Sequence, residues 1–240
     1  MVRKIIPAIV LIFLFLSTVP GQDSIHEFVK NIKWYHQAAV KIETGDKVIS
    51  IDPYKLEKEE PADIVFITHP HGDHLDAEAL SKVVTKNTIV VTPYNCSDKI
   101  NTMIFKQHIE MKPGDVKEIE GLHVESVPAY NITKKDFHPK KSEWNGYIIT
   151  VDGIKIYHTG DTERIPEMKL IETDIVLLPL GQTYTMNSVE DAANSALDVK
   201  AKIAIPIHYG LYEGTMEDAQ KFSELLKGKV EVDLLQPLLK

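Results

Sequence analysis

Thr68-His69-Pro70-His71-Gly72-Asp73-His74 decides the reading of this chain. Three imidazoles and a carboxylate fall within six positions, and both are good ligands for zinc and similar divalent ions. The stretch before it, Asp63 to Thr68, reads as a buried strand, and Leu75 to Val84 carries apolar residues at helical spacing. The segment is therefore a loop leaving a strand end. Such a loop can fold all four polar groups towards one point, which a regular helix or strand cannot do, and Gly72 is expected to ease the turn.

Working outward, Ile32 to Glu43 and Val48 to Ile51 are apolar-rich runs separated by Thr44-Gly45-Asp46, a strand–turn–strand signal. Thr88 to Thr92 reads as a strand and Ser97 to Ile104 as a short helix. Leu122 to Pro128, Gly146 to Val151 and Ile154 to His158 read as strands, the last two joined at Asp152-Gly153. Asp174 to Leu178 and Ile203 to Ile207 are further strands, and Val230 to Leu234 is a last one. Val189 to Val199, capped by Ser188, and Met216 to Leu226 read as helices. The halves echo each other: each has a strand pair, an acidic turn, and a buried strand ending in polar groups. Two such halves suit sheet against sheet with helices outside, an α/β sandwich.

The whole chain has 240 residues, 43% of them hydrophobic, which is enough for one good-sized core over residues 22–240. Net charge is −8, so there is no electrostatic basis for holding nucleic acid. The first 21 residues differ from the rest. Arg3 and Lys4 precede an apolar run from Ile5 to Leu16, then small and polar residues to Gly21. This is the layout of a secretory signal peptide, with an uncleaved N-terminal anchor as the alternative. An exported protein, periplasmic or extracellular, is expected, with no other membrane contact. The single cysteine, Cys96, excludes an intramolecular disulfide and a Cys-based zinc site, so a metal must use His and carboxylates.

His-x-His-x-Asp-His after a strand resembles the hallmark of the metallo-β-lactamase superfamily. The resemblance covers about residues 32 to 235. It extends to Gly160-Asp161-Thr162 and to Ile205-Pro206-Ile207-His208-Tyr209, similar to the family's bridging-aspartate and terminal-histidine motifs. Trp34-Tyr35-His36 with Ile51-Asp52-Pro53 is similar to the branch that includes L-ascorbate-6-phosphate lactonase and a phospholipase D. The resemblance implies a four-layer αββα sandwich with one or two divalent ions, zinc first and manganese or iron next. One ion would take His69 and His71, the other Asp73, His74 and His208, with Asp161 between them. It implies hydrolysis of a small-molecule lactone or phosphodiester by a metal-bound hydroxide, with Asp73 orienting the water or moving its proton.

One position departs from the family pattern. Asn131 stands where a third histidine for the first ion is expected, and His138, seven residues on, is the other source of that ligand. His158 and His36 each read either as supports behind the ligands or as core histidines, and Tyr184 as a substrate contact or a loop anchor. His26, His108, His123 and the charge run Lys55 to Glu60 read as surface. Two other readings compete: a non-catalytic exported metal- or ligand-binding protein, and a diiron redox variant of the same fold. Oligomeric state is not legible in the sequence.

Overall fold

The computed structural model describes residues 20–238. All but the last two residues of the expected export segment lie outside them. A helix not foreseen from the sequence follows it: α1 (Gln22–Val29) seats Ile25, Phe28 and Val29 in the core.

Thirteen strands among the described residues form two sheets, split where the sequence halves. The first runs β1 (Ile32–His36), β2 (Ala39–Glu43), β3 (Val48–Ile51), β4 (Ile64–Phe66), β5 (Ile89–Thr92) and β6 (Gln107–Glu110), in that spatial order. The second holds β7 (Val116–Ile119), β8 (Leu122–Pro128), β9 (Asn145–Val151), β10 (Ile154–His158), β11 (Ile175–Pro179), β12 (Ile203–Ile207) and β13 (Glu231–Val232), again in sequence order. The run Ile32 to Glu43 is thus two strands, folded back at Gln37 and Ala38 and paired antiparallel. Strands β6 and β7 have half-exposed, charged patterns and give little hydrophobic signal in sequence. The last strand is shorter than expected.

Alternation in β4 shows the layering. Ile64 and Phe66 enter the main core between the sheets, with Ile49, Val91, Val124, Ile149 and Ile156. Val65 and Ile67 face the other way, onto Leu80 and Val83 of α2 (Ala77–Val83). Asp76 caps α2 by accepting from Glu78 N and Ala79 N, and α3 (Ser97–Ile100) adds Ile100 to the same outer cluster. On the other side α4 (Val189–Asp198) packs on β11 and on α5 (Met216–Leu226). Ser188 caps α4 as expected, and Thr215 and Asp218 form a reciprocal capping box for α5. The result is the expected helix–sheet–sheet–helix sandwich. The β1–β2 turn and the loops after β4, β8, β10 and β12 converge on one site.

Candidate metal centre

The loop after β4 brings His69, His71, Asp73 and His74 together, and two further loops complete two triads. His69, His71 and His138 form one; Asp73, His74 and His208 form the other. Asp161 joins His69 and His74 in a third set, with every donor atom of a set within 4.8 Å of the others. The carboxylate lies between the triads. Its Oδ2 is 3.3 Å from His74 Nε2, 3.3 Å from His138 Nε2, 3.4 Å from His208 Nε2 and 4.0 Å from His69 Nε2. His69 Nε2 and His71 Nδ1 approach to 2.9 Å, so each presents a nitrogen to the same point.

His138, not Asn131, therefore completes the first triad. The Asn131 amide nitrogen donates to Tyr184 O at 2.7 Å and Lys134 O at 3.2 Å, and lies 3.2 Å from His138 Nδ1. Asn131 N also donates to His138 O at 2.7 Å. The amide nitrogen of Asn131 closes the loop that delivers His138. The Trp144 ring packs against this triad, 4.9 Å from His69, 4.9 Å from His71 and 5.6 Å from His138.

Three buried side chains that sequence reading missed hold the ligands from behind. Asp52 is fully buried. It accepts from His74 Nδ1 at 2.8 Å, from Thr68 Oγ1 at 2.6 Å and from Thr68 N at 2.8 Å. With its proton given to Asp52, Thr68 Oγ1 accepts from His69 Nδ1 at 3.0 Å. One carboxylate thereby orients both rings and turns Nε2 of His69 and His74 towards the donor cluster, the usual role of a carboxylate behind metal-binding histidines. Glu213 backs His208 as an ion pair instead, its Oε1 3.1 Å from His208 Nδ1 but not aligned as a hydrogen bond. Its Oε2 accepts from Thr183 N at 2.8 Å and Tyr184 N at 2.7 Å. Gly181 makes room for it, since a Cβ there would lie 1.8 Å from Glu213 Cδ. Gln37 is fully buried; its Nε2 donates to Asp73 Oδ2 at 3.3 Å and is 3.2 Å from His208 Nε2. Gln37 O in turn accepts from His208 N at 2.8 Å.

Gln37, Asp52 and His208 all adopt positive φ, at 47°, 46° and 56°. Left-handed backbone costs a non-glycine residue about 1–2 kcal/mol, and it persists here because these hydrogen bonds hold it. Gly160, at φ 62°, lets the chain turn into Asp161 where a Cβ would meet Asn145 O at 2.8 Å. Gly72 has no such constraint: its φ is ordinary and a Cβ would meet nothing within 4 Å. It lines the pocket over the ligands. Beyond Asp161, Glu163 accepts from the backbone N–H of Ile132, Thr133 and Lys134, pinning the loop that carries His138.

His158 and His36 lie off the donor cluster. His158 is buried behind it, Nε2 2.9 Å from Ala38 O and Nδ1 accepting from Gly160 N at 3.2 Å, where it ties the Asp161 loop to the β1–β2 turn. His36 Nδ1 accepts from Gln37 N at 3.0 Å. Tyr184 is partly exposed at the pocket mouth. The charge run from Lys55 is not wholly solvated: Glu60 turns inward to pair with the buried Lys41.

Charge is divided unevenly. Burial lowers His69 and, with His138 and His74 beside it, pushes His71 down to about 4. Burial also opposes charge on His208 and His74. Asp161, Asp73 and Glu213 nevertheless raise His208 to about 10, and Asp161 and Asp52 raise His74. Asp161 and Asp73 are held well below the usual carboxylate range, against their own burial, chiefly by His208 and His74. Without a metal, His208 and His74 therefore hold their protons, each with a carboxylate beside both ring nitrogens.

The donor set fits a pair of divalent cations. His74 Nε2, His138 Nε2 and Asp161 Oδ1 are buried and find no hydrogen-bond partner among the described residues. A buried polar atom left unpaired costs about 1–3 kcal/mol, and a cation at this point would give these atoms a partner. Above the donors opens a pocket of about 540 Å³.

Comparison with known proteins agrees. A model of the beta-lactamase superfamily domain matches residues 31–208. A UPF0173 metal-dependent hydrolase of Lysinibacillus sphaericus is 32% identical, over 85% of this chain and 96% of that protein. The crystal structure of a candidate metal-dependent hydrolase from Parabacteroides distasonis is similar at TM-score 0.76 and 34% identity, covering 85% of this chain and 93% of that one. Igni18, a metallo hydrolase from Ignicoccus hospitalis, is similar at TM-score 0.70 and 25% identity, covering 86% and 94%.

Proposed function

The chain belongs to the beta-lactamase superfamily, among its UPF0173 metal-dependent hydrolases, and from that premise we propose that it hydrolyses a small-molecule lactone or phosphodiester with two divalent ions, zinc by preference. The observation that carries this reading is the place of Asp161 Oδ2, within 4.0 Å of four imidazole nitrogens drawn from both triads. His69, His71 and His138 would hold one ion, Asp73, His74 and His208 the other, with Asp161 shared. Divalent ions so placed lower the pKa of bound water to about 7 and polarise the oxygen under attack.

The chain's own groups do the rest. Asp73 is one-quarter exposed to the pocket, and Gln37 and His208 occupy its Oδ2, which leaves Oδ1 towards His74 and the donors. A carboxylate held so far down accepts a hydrogen bond near neutral pH but keeps no proton, so Asp73 orients the attacking water more than it stores charge. Asp52, Gln37 and Glu213 keep the ligands from turning away.

The charged start and short apolar run of the first 21 residues support export. Intact mass of protein from its native host tests this, a full-length soluble species being the contrary result. For the reaction, metal-loaded protein is assayed on lactones and phosphodiesters beside His208→Ala. Loss of about one ion and most turnover in the variant is expected; unchanged metal content would remove His208 from the ligand set.

A further inference from the structure

Two pairs of aromatic rings line the pocket beside the donors, each pair tying together two loops distant in sequence. Tyr54 and Tyr212, 158 residues apart, join hydroxyl to hydroxyl at 2.5 Å. In the second pair the rings of Phe137 and Tyr184 meet edge-on at 4.9 Å. All four line the pocket that holds His71, Asp73, His138, Asp161 and His208. Tyr212 is 50% exposed, Phe137 40% and Tyr184 37%, so three large apolar side chains stay open to solvent around one mouth. Exposed aromatic surface gathered at a concave site marks a place where an apolar body is covered.

Three cations of the surrounding loops have partners of their own. Lys134 Nζ donates to Met186 O at 2.7 Å and Gln182 O at 3.2 Å, and Lys99 Nζ donates to Pro70 O at 2.5 Å. Lys55 Nζ lies over the faces of Tyr54 and Tyr212, 5.2 and 5.6 Å from their centroids. Among the described residues that line the pocket there is no Lys or Arg. An anionic phosphate would therefore meet only the two ions, with no guanidinium or ammonium group to grip a further oxygen.

We infer that this site takes an uncharged carboxylic ester, cyclic or open, whose body is an aryl ring or short alkyl chain seated against the Tyr54–Tyr212 and Phe137–Tyr184 pairs. The inference rests on the hydrolase reading above and selects within it. Water adds across the acyl C–O bond: the acyl carbon gains the hydroxyl, the departing oxygen gains the proton, and the resulting acid ionises at neutral pH. No oxidant or co-reactant is needed.

The full metal-loaded chain is assayed on dihydrocoumarin, an aryl lactone, on gluconolactone, a polar one, and on bis(p-nitrophenyl) phosphate. Dihydrocoumarin is expected to be preferred over both by at least about 10-fold in kcat/KM. Loss of one ring contact shifts affinity by about 2- to 10-fold. Phe137→Ala and Tyr212→Ala are therefore each expected to raise KM for dihydrocoumarin by that much and to narrow its lead over gluconolactone. Preference for the phosphodiester or for gluconolactone overturns the inference while leaving a hydrolase. No turnover of any of the three by protein that holds its ions overturns the hydrolase reading instead. Saturation-transfer NMR of dihydrocoumarin on the same protein then decides the inference alone: transfer lost in Phe137→Ala supports it, and no transfer to wild type ends it.

Discussion

Glu213→Ala removes the carboxylate that backs His208 in the second triad and ties down the loop after β11. The substitution deletes a buried carboxylate that accepts from Thr183 N, Tyr184 N and Thr185 Oγ1, and that faces His208 Nδ1. Hydrogen bonds to a charged group are each worth about 1.5–3 kcal/mol. Tyr184 sits at a pocket mouth, so water can re-solvate part of what is exposed, and the net cost is set at about 2–4 kcal/mol. At about 2–4 °C per kcal/mol for a chain of this size, metal-free melting should fall by about 5–15 °C. Released from Glu213, the His208 ring is free to turn, and one ion should bind about 10- to 100-fold more weakly. Glu213→Gln keeps the volume beside Gly181 and should recover part of the stability but little of the affinity. The sign with pH follows from the same contacts. Burial alone would raise Glu213, but His208 and the Tyr184 N–H hold it below its ordinary 4.5. Its stabilisation is therefore present above about pH 4.5 and is lost as pH falls through the lower folded value, a loss that Glu213→Ala should not show. Calorimetry with and without chelator gives the first number, and competition against a chromophoric chelator gives the second. Affinity within about 3-fold of wild type would refute the reasoning, because His208 would then be held by something else.

Further outcomes follow from the same geometry. Asp52→Asn should cost about 10- to 100-fold in metal affinity by releasing His74 and His69 together, measured by the same competition; Gln37→Leu should weaken only the ion near Asp73, with metal-free melting nearly kept. His138→Ala should empty one position in a zinc titration, whereas Asn131→His should destabilise the loop, since imidazole cannot replace the amide bonds to Lys134 O and Tyr184 O; two tight sites in His138→Ala would contradict this. In metal-free protein His208 is raised from 6.5 to about 10, so its stabilisation is full below pH 6.5 and is lost as pH climbs towards 10. Zinc uptake near pH 8 should accordingly release protons, read with an indicator dye, and none released would place His208 and His74 neutral beforehand.

The strongest sequence signals were those in which chemistry and periodicity coincide within a few residues. His69, His71, Asp73 and His74 share one loop, and the strands about them are apolar enough to place it. The groups behind the ligands gave no such signal. Gln37 lies 171 residues from His208 in sequence, and Glu213 reaches Thr183 across 30 residues. Each is an ordinary polar residue until the two sheets close. Asp52 was visible as the acid ending β3, but its hold on His74 depends on a left-handed turn that no local pattern announces. The choice between Asn131 and His138 turned on a loop closed by Glu163 and Tyr184, also long-range contacts. Strands β6 and β7 were missed because their side chains are half solvated and lack a clean alternation.

Anomalous diffraction from crystals of the zinc-loaded protein, recorded on both sides of the zinc edge, tests the centre most directly. Two peaks are expected, one touching His69, His71 and His138, the other Asp73, His74 and His208, with Asp161 between them. A single peak, or a pair that leaves Asp161 uncoordinated, would contradict the shared two-ion site.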